Sequence, residues 1–187
     1  NSADFGVPQK RKRVFFIASK KKFKNILKKT HGSKDEIEYD KKLKLYEPVK
    51  NWIDQYENLE FSDNYDSTEG KYHEDLKKIP NGKNYIHLTE KSGCRNPKFV
   101  AGKRYWSFLL KLDPNQPSPT IISSPGHWEG PFHWSNRRLR IKELAAIQTF
   151  PSDYIFHGSR RSVQKQIGNA VPPILVKEIL KHLKNNI

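Results

Sequence analysis

The chain has 187 residues, 35% of them hydrophobic and 29% charged, with one cysteine and a formal net charge of +15. This length suits one or two domains and a sizeable core. No apolar run approaches the ~20 residues of a membrane span, the first residues lack the apolar stretch of a secretory signal, and the lone Cys94 excludes an internal disulfide, which fits a reducing cytoplasm.

The charge is uneven. Residues 35–75 carry 13 acidic side chains against five lysines, a net of −8, which leaves +23 for the rest. A basic field of that size attracts polyanions, nucleic acid first among them. The acidic stretch is expected to face away from the phosphates.

In chain order, the apolar run "RVFFIA" (Arg13–Ala18) predicts a strand buried on both faces, as in a parallel sheet, with Pro8 marking the turn into it. "SKKKFKNILKKTHGS" follows as a basic surface segment. "LYEPVKNWIDQY" (Leu45–Tyr56) predicts a short helix after Pro48, and "NYDSTEGKYHED" reads as a loop. "NYIHLTE", "RYWSFLLKL" and "SPTIISS" are separated by Gly, Asn and Pro clusters and read as strands of a small, mostly β domain. "GHWEGPFHW" (Gly126–Trp134) reads as a loop. A helix is expected over Ile141–Thr149, ended by Phe150-Pro151. A second is expected from Pro172-Pro173, with Ile174, Leu175, Ile179, Leu180 and Leu183 as its apolar stripe.

Three stretches carry candidate chemistry. In "PQKRKRV", Gln9, Arg11 and Arg13 alternate and share one side of an extended chain. Two guanidiniums and an amide there suit a phosphate or a base-edge oxygen, or else a solvated basic edge. Arg137 and Arg138 precede a helix whose Glu143 can turn back toward its start. In "QIGNAVPP", Gly168 permits positive φ, and Asn169 offers donors and acceptors. That segment is a ligand turn or a plain turn before a helix. The histidines show no zinc-ligand spacing, and Trp106, Trp128 and Trp134 read as core or hinge packing.

Taken in order, these stretches resemble the DNA (cytosine-5) methyltransferases. "NSADFGVPQKRKRVFFIA" resembles that family's eighth motif, "RRLRIKELAAIQTFPSDYIFHGS" its ninth, and "VQKQIGNAVPPILVKEI" its tenth. "LLKLDPNQPSPTIISS" is similar to the end of its target-recognition region, with Thr120-Ile121 at the Thr-Leu/Ile position. The resemblance spans nearly the whole chain and is weakest across the acidic stretch.

The resemblance implies an α+β fragment of a two-domain α/β methyltransferase. Its parts would be one strand and the C-terminal helix of a Rossmann-like catalytic domain, plus a small, mostly β recognition domain. Residues 1–24 would belong to the catalytic domain, 25–158 to the recognition domain with the ninth-motif helix, and 159–187 would return to the catalytic domain. The family uses S-adenosylmethionine, flips a cytosine out of double-stranded DNA and methylates its C5, an activity that restriction–modification systems employ. Gln9 and Arg11 match positions that support the catalytic pocket and DNA, and Arg13 matches the arginine at O2 of the flipped cytosine. Gly168, Asn169, Ala170 and Val171 match the cofactor wall. Thr120, Arg137 and Arg138 are the expected recognition-side DNA contacts, Arg138 also organising the recognition domain.

The departures are as informative. F-x-G-x-G, the Pro-Cys-Gln nucleophile loop and Glu-Asn-Val do not occur in these residues, so a catalytic N-terminal part of the same enzyme, in one chain or a separate subunit, is the expected partner. Cys94 lies in the recognition region and is not the nucleophile. Arg140 stands where the ninth motif usually has a threonine N-cap, which forgoes about 1 kcal/mol unless Ser135 or Asn136 caps an earlier start. Lys142 replaces a usual arginine. The alternatives are a stand-alone DNA-binding module or an RNA cytosine methyltransferase of the same fold. Neither a metal nor a membrane is expected as a partner.

Overall fold

A computed structural model describes residues 1–18, 20, 27–57 and 67–186. The expected domain boundary at 24/25 and part of the basic segment before Ser33 fall outside these residues.

The regular elements are short. They are β1 (His31–Gly32), α1 (Lys34–Tyr39), β2 (Lys44–Leu45), α2 (Lys50–Ile53), α3 (His73–Lys78), α4 (Ile141–Ile147), α5 (Arg160–Asn169) and α6 (Pro173–Asn186). β1 and β2 pair in parallel, His31 opposite Lys44 and Gly32 opposite Leu45. Single-turn 3-10 helices cover Ser2–Phe5, Asp54–Tyr56, Tyr85–Leu88 and Glu90–Ser92. Among the described residues no helix is long and apolar enough to cross a membrane.

Local chemistry explains these boundaries. Ser33 Oγ accepts from Glu36 N at 3.3 Å, and Glu36 Oε2 accepts from Ser33 N at 2.8 Å, the reciprocal box that starts α1. α2 follows Pro48 as expected and continues into the turn at Asp54. Ser159 Oγ accepts from Ser162 N at 3.3 Å and opens α5. α4 begins differently. Glu143 accepts from Arg140 N at 2.8 Å, but an arginine side chain has no acceptor to return to the first turn. Only the half of the box that Glu143 supplies can form.

Among the described residues, three apolar clusters hold the elements together. The largest joins Val49 at the start of α2 and Ile53 within it, Leu144 and Ile147 of α4, Val163 and Ile167 of α5, and the connecting Leu112 and Ile121. Each helix contributes residues three or four apart, the spacing of a single buried face. The second cluster is aromatic. Tyr72, Tyr85, Phe99 and Phe108 meet edge to face, with centroids 5.3–6.2 Å apart. The third seats Leu175 and Ile179 of α6 against Val7 near the N-terminus.

Several expectations are corrected. Arg13–Ala18 forms no strand, and Val14 and Phe16 are 78% and 95% exposed. A strand apolar on both faces needs neighbours on both sides, and the described residues supply none. The stretches read as strands between Lys83 and Ile122 form 3-10 turns and isolated bridges instead, such as Thr89 with Phe99 and Phe108 with Glu129. The Gly, Asn and Pro clusters leave runs too short for ladders, and edge-to-face rings supply cohesion in their place. The loop expected around "NYDSTEGKYHED" gives way to α3 at His73.

The largest omission is α5. Val163 and Ile167 are its only strongly apolar residues, and Gly168 reads as a breaker. Gly168 instead lies within the helix. A Cβ there would sit 2.5 Å from Ser123 Cα and 2.8 Å from Ser123 N. The glycine therefore permits a close approach of two backbones rather than a left-handed turn.

Candidate functional site

Four distant stretches converge on one buried polar knot. Gln9 is fully buried and pairs as a bridge with Ser118. Its Nε2 donates to Gln148 Oε1 at 3.0 Å, and its Oε1 accepts from Ile121 N at 3.2 Å. Gln148 Nε2 in turn donates to Ile167 O at 2.7 Å. Both amides are thus satisfied without water, as buried amides must be.

Arg11 extends the knot. It is 3% exposed, and an Nη donates to Gly168 O at 2.7 Å. Its backbone N donates to Ser2 Oγ at 3.2 Å. Its Nε is buried without a partner among the described residues. Burial, with Arg13 nearby, lowers the Arg11 pKa, yet a guanidinium keeps its charge well above neutrality. Ile174 N donates to Thr149 Oγ1 at 3.2 Å, which ties α6 to the end of α4.

The expected alternation of Gln9, Arg11 and Arg13 therefore splits. Gln9 and Arg11 share a side, and that side faces inward, between exposed Lys10 and Lys12. Arg13 is exposed, with one Nη donating to Lys12 O at 2.7 Å. Gly168, Asn169, Ala170 and Val171 straddle the end of α5. Gly168 is buried, Asn169 and Val171 are exposed, and Ala170 closes the helix by donating to Gln166 O at 3.1 Å and to Ile167 O at 3.2 Å.

The arginines expected to contact DNA are engaged internally. Arg137 makes a two-pronged contact with Glu143, at 2.8 and 2.7 Å, and the Glu143 side chain is fully buried. Arg138 donates to His127 O and lies over the Phe132 ring at 5.7 Å. Arg140 reaches the carbonyls of Tyr56 and Glu57, and Arg160 donates to Leu139 O at 2.8 Å. These contacts commit Arg137 to a carboxylate of the protein itself and Arg138 to a backbone carbonyl and a ring. His133 is buried beside them, its ring 3.9 Å from that of Trp134. Burial first, then Arg137 and Arg140, holds its pKa down to about 3, so it is neutral at pH 7.

Thr120 is exposed, and its Oγ1 donates to Lys10 O at 2.8 Å. It edges a cleft of roughly 740 Å³ whose walls include Lys10, Tyr105, Trp106, Pro117 and Pro119. Lys111 also lines it, its Nζ bonded to Asn136 Oδ1 at 2.6 Å and its pKa lowered by burial. Trp106 is not the packing residue expected from sequence. It is 59% exposed and its neighbour Tyr105 78%. Trp128 and Trp134 do pack, partly buried against the aromatic and helical clusters. The signal for Trp106 was present in "KRYW", where two cations adjoin two aromatics.

Residues 1–185 match the model of the C-5 cytosine-specific DNA methylases. The chain belongs to that family. It is 37% identical to the type II methyltransferase M.SacI of Streptomyces achromogenes, over 100% of this chain and 50% of that protein. It is 28% identical to M.DdeI of Desulfomicrobium norvegicum, over 98% of this chain and 52% of that one. It is 38% identical to M.AquIB of a Picosynechococcus strain, over 46% of this chain and 68% of that one. The chain thus spans about half the length of the first two relatives.

Proposed function

We propose that this chain acts as the C-terminal portion of a DNA cytosine-5 methyltransferase. It recognises DNA and completes the pocket in which a methyl group passes from S-adenosylmethionine to C5 of a flipped cytosine. Residues 1–24 and 159–187 belong to the catalytic domain in this reading, and 25–158 to the recognition domain. The observation that carries it is the buried knot. The eighth-motif Gln9 and Arg11 bond to the ninth-motif Gln148 and the tenth-motif Gly168 inside a chain that matches the family over 1–185.

Each expected residue has a task here. Gln9 and Arg11 hold the pocket wall rather than touch substrate. Arg13, exposed beyond them, approaches the cytosine, where its charge stabilises the electron density that builds on the ring as the nucleophile adds. S-adenosylmethionine supplies the methyl group. Asn169, Ala170 and Val171 fit one wall of its site, because exposed Asn169 and Val171 offer an amide and an apolar edge beside backbone that Arg11 fixes. Thr120 lies on the DNA side, at the rim of the cleft. Arg137 and Arg138 act on DNA through the shape of the recognition region.

The nucleophile is supplied by a catalytic part outside these 187 residues, which contain no Pro-Cys-Gln sequence. The test is methyl transfer to DNA by the purified chain, alone and with a partner polypeptide carrying that motif. Activity only in the mixture, abolished when the partner's cysteine is replaced, is the expected result. 5-Methylcytosine made by the chain alone would overturn the proposal. Arg13→Ala in the active mixture should lower turnover more than duplex affinity.

A further inference from the structure

The segment Lys103–Trp106 is held as firmly as a core element, yet it displays its side chains to solvent. Tyr85 is 2% exposed, and its hydroxyl serves this loop, donating to Arg104 O at 3.0 Å and accepting from Gly102 N at 3.1 Å. Asn84 Nδ2 donates to Trp106 O at 2.8 Å. Phe108 N donates to Tyr105 O at 3.0 Å. Four polar contacts thus fix the backbone of a loop whose two aromatic side chains stand in water.

Among the described residues neither ring belongs to an apolar cluster. Two large rings left in water forgo the burial that the neighbouring tyrosines and phenylalanines obtain. Such rings on a rigid support suit a ligand with a flat apolar face. Tyr105 and Trp106 line the cleft together with Pro117, Pro119 and Thr120, and its volume falls within the roughly 300–1,000 Å³ of ligand sites. Lys10 lines the cleft, and exposed Lys103 and Arg104 flank the rings.

We propose that Tyr105 and Trp106 form a stacking platform for an unpaired nucleobase of the bound DNA. This deepens the DNA-recognition reading above and rests on it. Lys10, Lys103 and Arg104 hold the adjoining phosphates. Cations beside exposed aromatics are the pattern of single-strand nucleic-acid grooves, where the ring reads the face of a base and the cations track the backbone. A paired base in a continuous stack hides both faces, so the platform serves a base that has left the stack. The net charge of +15 selects nucleic acid over an apolar protein partner.

The test uses the purified chain, a short duplex with one unpaired base, and the fully paired duplex of the same sequence, at one salt concentration. Trp106→Ala should weaken binding to the first by roughly 10-fold and leave the second nearly unchanged. Trp106→Phe should retain most of the affinity, and Tyr105→Ala should show a smaller selective loss. Unchanged affinity in Trp106→Ala, or equal loss on both duplexes, overturns the platform while leaving DNA recognition standing. Binding of neither duplex by the unaltered chain overturns both readings. If Trp106→Ala proves unfolded, tryptophan fluorescence decides: the unpaired-base duplex should quench the unaltered chain but not Trp106→Phe. Equal quenching of the two proteins defeats the proposal.

Discussion

Arg11 and Gly168 lie 157 positions apart and are joined by a 2.7 Å hydrogen bond from a guanidinium to a carbonyl oxygen. Gly168 is pressed from its other side against the backbone at Ser123. The end of α5 is therefore clamped between an arginine near the N-terminus and the segment around Ser123. A shift in either would move the turn at Asn169.

Gly168→Ala tests the clamp. The added methyl would meet Ser123 Cα and N, which are backbone atoms that cannot rotate away. Overpacking of this kind costs about 1–3 kcal/mol. Urea unfolding should show that loss. Ser123→Gly removes only the Cβ contact at 2.8 Å and should rescue little of it. A fully stable Gly168→Ala would show that the two segments separate freely.

Gln9 and Gln148 should be strongly coupled. Replacing Gln9 by leucine leaves Ile121 N and Gln148 Oε1 buried without partners, at about 1–3 kcal/mol for each orphaned group. Leucine at both positions frees only backbone groups, so the double variant should lose less than the sum. A double-mutant cycle measured by unfolding should give a coupling of about 0.5–3 kcal/mol. Additive losses would show that the amides do not act as a pair.

These two cases mark how far the sequence could be read. The order of "QKR", "RRLRIKELAAIQTFP" and "QIGNAVPP" was visible, as was the apolar stripe of α6. α5 was hidden because the reason for Gly168 is a contact with Ser123, which no local pattern records. The aromatic cluster around Tyr85 was hidden for a related reason. Rings that alternate along the chain read as strands, yet they pack edge to face across turns without ladders. That Glu143 can turn back toward the start of its helix is legible in the sequence, but its buried two-pronged contact with Arg137 is not, because burial there depends on distant segments.

That ion pair supports a sharper expectation. Arg137 and Glu143 are buried, and Glu143 also accepts from Arg140 N. Arg137→Ala leaves a carboxylate buried with one neutral donor and should cost about 3–5 kcal/mol. Replacing both residues by apolar ones of similar size should cost clearly less. Calorimetric melting of the three variants checks this, and equal losses in the single and double variants would count against the pair.

DNA binding should depend steeply on salt. Each neutralised phosphate releases counterions and adds a slope of about −0.9 to log affinity against log salt. Lys10 lines the cleft and exposed Lys103 and Arg104 adjoin Tyr105 and Trp106 in the chain, so alanine at each should flatten the slope by roughly one such unit. Arg137 is committed to Glu143, and a conservative Arg137→Lys should leave the slope unchanged even if it lowers stability. A flattened slope in that variant would return Arg137 to the phosphate side.

His133 should make stability sensitive to mild acid. Its pKa in the folded protein is held down to about 3 by burial and by Arg137 and Arg140, against 6.5 for an ordinary histidine. Below 6.5 the unfolded chain binds a proton that the folded chain refuses. The unfolded state then holds more protons, so stability rises with pH across this window and falls as pH drops from 6.5 toward 3. Glu36, half-buried and paired with Lys29, is held at about 2, and its effect begins only below its ordinary 4.5. Between pH 6.5 and 4.5 the His133 contribution therefore stands apart from that carboxylate. His133→Gln keeps a polar side chain near Ser135 but cannot take up the proton. Its melting temperature should fall less steeply than that of the unaltered chain over this range, and parallel curves would show that His133 does not stay neutral in the fold.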